Sequence, residues 1–295
     1  MKSLVALLAA ASCLAAAPER PTEESFVPNY NAANLYYLWG SEADLEAVPG
    51  AGMSLHEAGM LAQVPVWRNE ANRLTVGVRY RWNQLDFSEA TPFGAGALDL
   101  HRLQLPVNYW HAFGDHWKLW AGVEPGVFTD FEKVSGDDLA VTALVVAAWE
   151  FHPEWSLSFG AYYSRDLGED RALPVLGVIW RPSVHWNISA TFPRCRVAYA
   201  PNETWLFEAI ARPGGSAWSI RTDDGQDRNL EYKSWRASLG VERLLGRSFG
   251  GKWFGFIEGG VGFGQDLKLT DDGDELFGSD LGEILTLSGG VRLRY

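Results

Sequence analysis

Leu285-Thr-Leu-Ser-Gly-Gly-Val-Arg-Leu-Arg-Tyr295 alternates without a break. Leu285, Leu287, Gly289, Val291, Leu293 and Tyr295 are apolar or bare, while Thr286, Ser288, Gly290, Arg292 and Arg294 are polar or bare. A period of two places each set on its own face of one strand. The apolar set ends on an aromatic ring, as the closing strand of a membrane barrel requires: one face for lipid, one for the lumen, a ring for the interface. The segment predicts an all-β fold, a closed antiparallel transmembrane β-barrel, and makes this C-terminal strand the expected contact of the barrel-assembly machinery.

The same alternation recurs upstream. Leu74, Val76, Val78, Tyr80 and Trp82 oppose Arg73, Thr75, Gly77, Arg79, Arg81 and Asn83. Comparable runs begin at Arg102, Trp117, Trp155, Trp186 and Ser234. Two segments depart from it: Leu139 to Phe151 and Leu173 to Trp180 are apolar on both faces apart from Thr142 and Glu150, as strands packed on a plug or within a soluble sandwich would be. The count comes to about 12 strands, with 14 as the alternative, since bacterial single-chain barrels use even numbers. The polar faces turn Arg79, Arg81, Arg102, Lys118, Glu124, Arg236, Glu258, Arg292 and Arg294 inward. They are the expected pore lining or, if paired, the filling of a narrow interior.

The turns carry a second regularity. Phe113 to Trp117, Phe151 to Trp155, Trp180 to Trp186 and Tyr199 to Trp205 are short polar turns bracketed by aromatics. Rings at both ends of tight hairpins predict an interfacial girdle of Trp117, Trp155, Trp186, Trp205, Trp253 and Tyr295. Between these hairpins, Ser88 to Ala97, Thr129 to Asp138, Pro213 to Asn229 and Lys268 to Gly282 are long and polar, and are expected as surface loops. Short turns on one rim and long loops on the other put the short rim in the periplasm.

Length and composition agree. The 295 residues include 14 Trp and 31 Gly, with no linker that would divide them. The net charge of −12 opposes nucleic-acid binding through a basic surface. Lys2 and the apolar run from Leu4 to about Ala17 form an expected signal peptide over residues 1–17, too short for a spanning helix. A lipoprotein signal with Cys13 as the acylated residue is the rival reading. Cys195 is then the one cysteine left, which excludes an internal disulfide. Residues 18–54 read as a periplasmic tether or plug with a strand at Leu35 to Trp39, and residues 55–295 as the barrel in a bacterial outer membrane.

The turn-and-Trp pattern, Leu173-Pro-Val-Leu-Gly-Val-Ile-Trp-Arg-Pro182 and Thr191-Phe-Pro193 resemble an uncharacterised family of bacterial outer-membrane β-barrel proteins. The resemblance covers most of the mature chain. It implies location and fold, and no catalytic residues.

Signals for chemistry are sparse. His111, His116, His152 and His185 sit near short turns but match no metal-ligand spacing. Asp223, Asp224 and Asp227, then Asp271, Asp272, Asp274 and Glu275, could meet divalent cations, although they lack the ligand spacing of an EF-hand loop. No Gly-x-Ser-x-Gly or His-Glu-x-x-His occurs, and the glycines of Gly259 to Gly264 lack the Lys-Ser/Thr of a phosphate loop. No cofactor is implied. The expected function is a passive narrow channel for small solutes or a structural envelope protein, with outer-membrane lipids as neighbours. The alternatives are an outer-membrane lipid-active hydrolase and a soluble periplasmic β-sandwich.

Overall fold

The computed structural model describes residues 25–27, 31–91, 94–132, 134–136, 138–222 and 225–294. The expected signal peptide with Cys13, the loop residues Asp223 and Asp224, and the girdle residue Tyr295 lie outside them.

Every described element is a strand or a turn. In chain order the strands are β1 (Asn31–Asp44), β2 (Gly52–Arg68), β3 (Asn72–Thr91), β4 (Gly94–Gln104), β5 (Val107–Phe113), β6 (Trp117–Thr129), β7 (Leu139–His152), β8 (Trp155–Ser164) and β9 (Arg171–Trp180). They continue as β10 (Trp186–Phe192), β11 (Arg194–Asn202), β12 (Trp205–Pro213), β13 (Ser216–Arg221), β14 (Asp227–Ser248), β15 (Gly251–Asp271), β16 (Asp274–Leu281) and β17 (Ile284–Arg294). Three staves are broken in two: β4/β5 at Leu105-Pro106, β12/β13 at Gly214-Gly215, and β16/β17 at Gly282-Glu283. In each case one neighbouring strand pairs with both halves. Proline explains the first break, because it has no N–H for the ladder.

Each stave pairs antiparallel with the next, and β17 returns to β1 with Leu35 opposite Val291 and Trp39 opposite Leu287. The result is a closed antiparallel barrel of fourteen staves. Closure rules out the soluble sandwich, since that arrangement needs two separate sheets with free edges. It also moves the domain boundary. The strand expected at Leu35 to Trp39 runs from Asn31 to Asp44 and closes the cylinder, so the barrel begins at Asn31 rather than at residue 55. Its weak alternation hides it in the sequence, while its pairing with two neighbours defines it. Of the expected tether, Ser25 to Val27 are described. Phe26 N–H donates to Val184 O at 2.9 Å, and Val27 is buried against Ala198, Ala200 and Leu206 inside the short-turn end.

The outer face is apolar and uncovered. Leu239 is 71% exposed, Leu285 63% and Leu176 62%, which in water would be a large hydrophobic liability and in lipid is the requirement. The apolar-on-both-faces segments are ordinary staves: β7 pairs with β6 and β8, and β9 with β8 and β10.

Three of the four expected long loops are paired strand instead. β3 runs on to Thr91 and β4 starts at Gly94; β13 and β14 form a hairpin; β15 reaches Asp271 before turning into β16. Polar residues there mark a strand face turned to water, not an absence of pairing. Leu267 and Leu269 point in where Asp266 and Lys268 point out.

These extensions build a second, narrower ring on the long rim. Thr129 of β6 bridges to Ser219 of β13, and Arg221 N–H donates to Asp130 Oδ2 at 2.7 Å. The bridge bypasses β7 to β11, leaving a ring of nine strands: β13, β14, β15, β16, β1, β2, β3, β4 and β6. A dry core fills it, including Trp218, Phe128, Leu85, Leu100, Leu230 and Leu267. The inward bend into β13 depends on Gly215, where a Cβ would lie 1.9 Å from Tyr232 O.

Leu239 lies midway between Trp235 and Arg243 on β14. Leu239→Arg should therefore cost about 2–4 kcal/mol, the penalty for a charge at the bilayer midplane. Lys233→Arg, above the lipid band, should be close to neutral. Urea unfolding in lipid vesicles checks the difference, and equal effects would contradict the membrane-facing assignment.

Candidate functional site

All nine residues expected to line the pore point inward, and every one is in an ion pair. Arg79 meets Glu124 at 3.0 Å, Lys118 meets Glu150 at 2.9 Å, and Arg102 meets Asp166 at 3.1 Å. Arg81 and Arg236 share Glu57, at 3.5 and 4.0 Å. Arg292 bonds Glu242 and reaches Glu208 at 3.3 Å and Glu258 at 3.5 Å. Arg294 bonds Glu242 at 2.6 Å.

These pairs form a belt beneath the dry core. Glu57 also accepts from Tyr36 and from Asn83 Nδ2, and Asp166 accepts from Tyr162. Glu208 accepts from Arg196 Nε at 2.8 Å, and Ser238 Oγ donates to Glu258 at 2.7 Å. Glu242 is 1% exposed. Sequence reasoning missed Glu57, Glu208 and Glu242, although the signal was available. It is clearest in Phe207-Glu208-Ala209, where both neighbours belong on the lipid face and the acid has only the interior to face.

Below the belt the lumen opens towards the short-turn rim. Trp120 faces inward, is 40% exposed, and donates from Nε1 to Asn108 Oδ1 at 3.0 Å. Asn108 Nδ2 donates in turn to Gln63 Oε1 at 3.1 Å. A cavity of about 300 Å³ at that rim is bounded by Arg73, Trp110 and Lys118. A larger groove of about 510 Å³ lies on the outer face, where Ala209, Ala211, Ala237 and Gly259 leave room for lipid chains.

The expected girdle tryptophans, Trp117, Trp155, Trp186, Trp205 and Trp253, sit on the short-turn rim. Trp117 stacks on Trp149 at 6.0 Å, Trp155 on Trp180 at 5.1 Å, and Trp186 packs on Tyr199 at 4.4 Å. Arg243 lies over Trp205 at 5.4 Å, and Trp253 Nε1 donates to Ser248 Oγ at 2.7 Å. A second girdle, unforeseen, runs round the other side of the apolar band: Trp39, Trp82, Tyr163, Phe192, Trp235 and Phe263. Phe192 and Trp235 touch at 6.2 Å across the wall. The eight-residue step from Trp235 to Arg243 spans about 26 Å of strand, or about 20 Å of height after tilt, close to the usual band.

The turn histidines do not gather. His111 Nδ1 pairs with Asn72 Oδ1 at 2.7 Å, His152 Nδ1 accepts from Glu154 N–H at 3.2 Å, and His185 Nδ1 donates to Ala200 O at 2.8 Å. His116 sits on the separate turn between β5 and β6, where its carbonyl accepts from Glu150 N–H at 2.7 Å. Among the described residues no cluster of three metal-ligating side chains forms. In the acidic loops, Glu275 bonds Lys268 at 2.8 Å and Asp227 lies 3.8 Å from Arg221. On the short turn before β12, hydrogen bonding and charge from Lys252, with Arg247 beside it, hold the Glu203 carboxyl below its ordinary range.

Residues 49–255 match a family described as a domain of unknown function (DUF6268). No curated protein matches the chain. Among solved structures, the chain is similar to the translocator domain of the autotransporter NalP from Neisseria meningitidis, with 9% identity, TM-score 0.39, and 90% of each chain covered. It is similar also to the outer membrane phospholipase A from Escherichia coli, with 11% identity, TM-score 0.38, and 93% and 94% covered. The Pseudomonas putida toluene transporter TodX gives 9% identity, TM-score 0.38, and 92% and 91% covered.

Removing one partner from a buried ion pair leaves the other charge uncompensated. Glu242→Ala should therefore destabilise the barrel by about 3–5 kcal/mol, while Glu242→Leu combined with Arg294→Leu should cost less than the single change. Urea unfolding of the variants in vesicles would show it, and a milder single variant would contradict the pairing.

Proposed function

The chain belongs to the DUF6268 family, a domain of unknown function, and we propose that it is a barrel of the bacterial outer membrane whose lumen is closed to free solute flow. One observation carries this reading: the upper ring is filled by a dry core in which Trp218 is 1% exposed and Phe128 fully buried. Beneath it, ion-paired side chains occupy the belt where an open pore would hold water. The short-turn rim faces the periplasm by the usual asymmetry of such barrels. Membrane lipids around the apolar band and the assembly machinery at β17 are the partners this implies.

A structural envelope role follows from a filled lumen. A narrow, gated passage is the second reading, favoured by the exposed, inward-facing Trp120 and Lys118 below the belt. Lipid hydrolysis has less support. The outward histidines near the upper girdle bond tyrosines, Tyr37 to His56 at 2.7 Å and Tyr80 to His101 at 2.8 Å. Neither bond supplies a serine nucleophile.

In planar bilayers the wild-type protein should give no steady conductance, and vesicles carrying it should release no phospholipid-derived fatty acid. Discrete steps whose ion selectivity changes with Arg79→Glu would overturn the closed barrel in favour of the passage.

A further inference from the structure

The wall of the lower barrel has a gap, and the charges behind it do not balance. Pairing between β9 and β10 begins only at Leu176 opposite Phe192, so Arg171 to Val175 bond β8 alone. On the other side, β11 stops pairing with β12 at Cys195 opposite Ala211, so Arg212 and Pro213 bond only β14. The tight turn from Phe192 to Arg194 forms the sill. The β8–β9 connection forms the lintel, where Asp166 O accepts from Gly215 N–H at 3.2 Å. Free strand edges do not survive in hydrocarbon. Phe192 belongs to the upper girdle, which places the gap at the level of lipid headgroups.

Just inside, three arginines stand side by side on neighbouring strands. Arg212 is directly opposite Arg236. Arg194 follows the Cys195–Ala211 pair in register and faces Arg212. Like charges directly opposite one another repel. Arg194 is exposed at the gap, and neither it nor Arg212 has an ion pair among the described residues. Arg236 is 4% exposed, its one carboxylate is the shared Glu57, and its Nε is buried with no hydrogen-bond partner. Among the described residues of the whole belt, nine arginines and Lys118 face seven carboxylates.

We propose that Arg194, Arg212 and Arg236 form a binding site for a phosphate-type anion that enters through this gap. The planar guanidinium fork matches phosphate oxygens two at a time, and a dianion supplies the negative charge the belt lacks. The anion is carried either by a lipid headgroup at the rim or by a free phosphate. The site does not require the barrel to be closed, so a conductance measurement leaves it standing.

The full protein, purified and delipidated in detergent, is titrated calorimetrically with micellar phosphatidic acid, with diacylglycerol as the phosphate-free control, and separately with inorganic phosphate. Wild-type protein should bind phosphatidic acid and not diacylglycerol. Binding of inorganic phosphate as well assigns the site to the free anion; its failure assigns it to the headgroup. Arg194→Gln with Arg212→Gln should weaken binding about tenfold or more, worth about 1.4 kcal/mol, while Lys233→Gln on the outer surface should not. Arg194→Lys should restore part of the affinity. Heat-modifiable migration before boiling checks that each variant is folded. Wild-type protein that binds neither phosphate probe, or a folded double variant that binds as tightly as wild type, would overturn the site.

Discussion

Inside a bilayer no water is available to a backbone N–H or C=O, so every strand edge must find another strand. That constraint accounts for the closure of β17 on β1 and for much else here. It recruits the Asn31–Asp44 segment, whose own pattern is weak, because the closing strand would otherwise present its edge to lipid. It also sets where staves can stop. The lowest hairpin, β10–β11, ends at Phe192 and Arg194, at the girdle, where water and headgroups can take over the unpaired groups. Strands that continue above that level do so under different rules. They turn polar outside and apolar inside, and they pinch together through Thr129 and Ser219.

The two halves of the molecule thus have opposite interiors. Above the membrane, the ring has water outside and buries Trp218, Phe128 and leucines, like a small soluble barrel. Within the membrane, lipid takes the apolar face, and the interior holds the charges. Those charges also bind staves that are not immediate neighbours. Arg292 and Arg294 stand on β17, yet their carboxylates Glu208 and Glu242 stand on β12 and β14. The pairs therefore tie together staves that share no backbone ladder, two and three positions apart along one side of the wall. Desolvation offsets much of their attraction, so their contribution is to geometry more than to net stability.

Much of this was legible in the sequence, and what was missed has physical causes. Alternation at Leu74 to Trp82 and Leu285 to Leu293 gave the barrel and the inward direction of all nine charges, because period two leaves a side chain only two faces. The aromatic-bracketed turns gave the short-rim girdle. The partners of the charges were not legible, since Glu208 and Arg294 lie 86 residues apart in the chain. The upper ring was missed because its strands carry polar outer faces, which in composition look like loops. Trp39, Trp82 and Trp235 were visible as members of apolar faces, but their common height depends on strand register, which one sequence does not state.

The low wall and the charge surplus fall at the same place, and one follows from the other. A lumen sealed above by a dry core has few ways to neutralise extra cations. Pairing them all would require further acids on β11 or β12, and a carboxylate at each extra position would fill the space behind the gap. The chain instead leaves Arg194 and Arg212 without an ion pair among the described residues where the wall is lowest, and keeps Arg236 deeper with a single shared carboxylate. Repulsion within such a row is tolerable near headgroup water and costly further in. The unbalanced charge thus sits at a level of this barrel where something from outside can reach it.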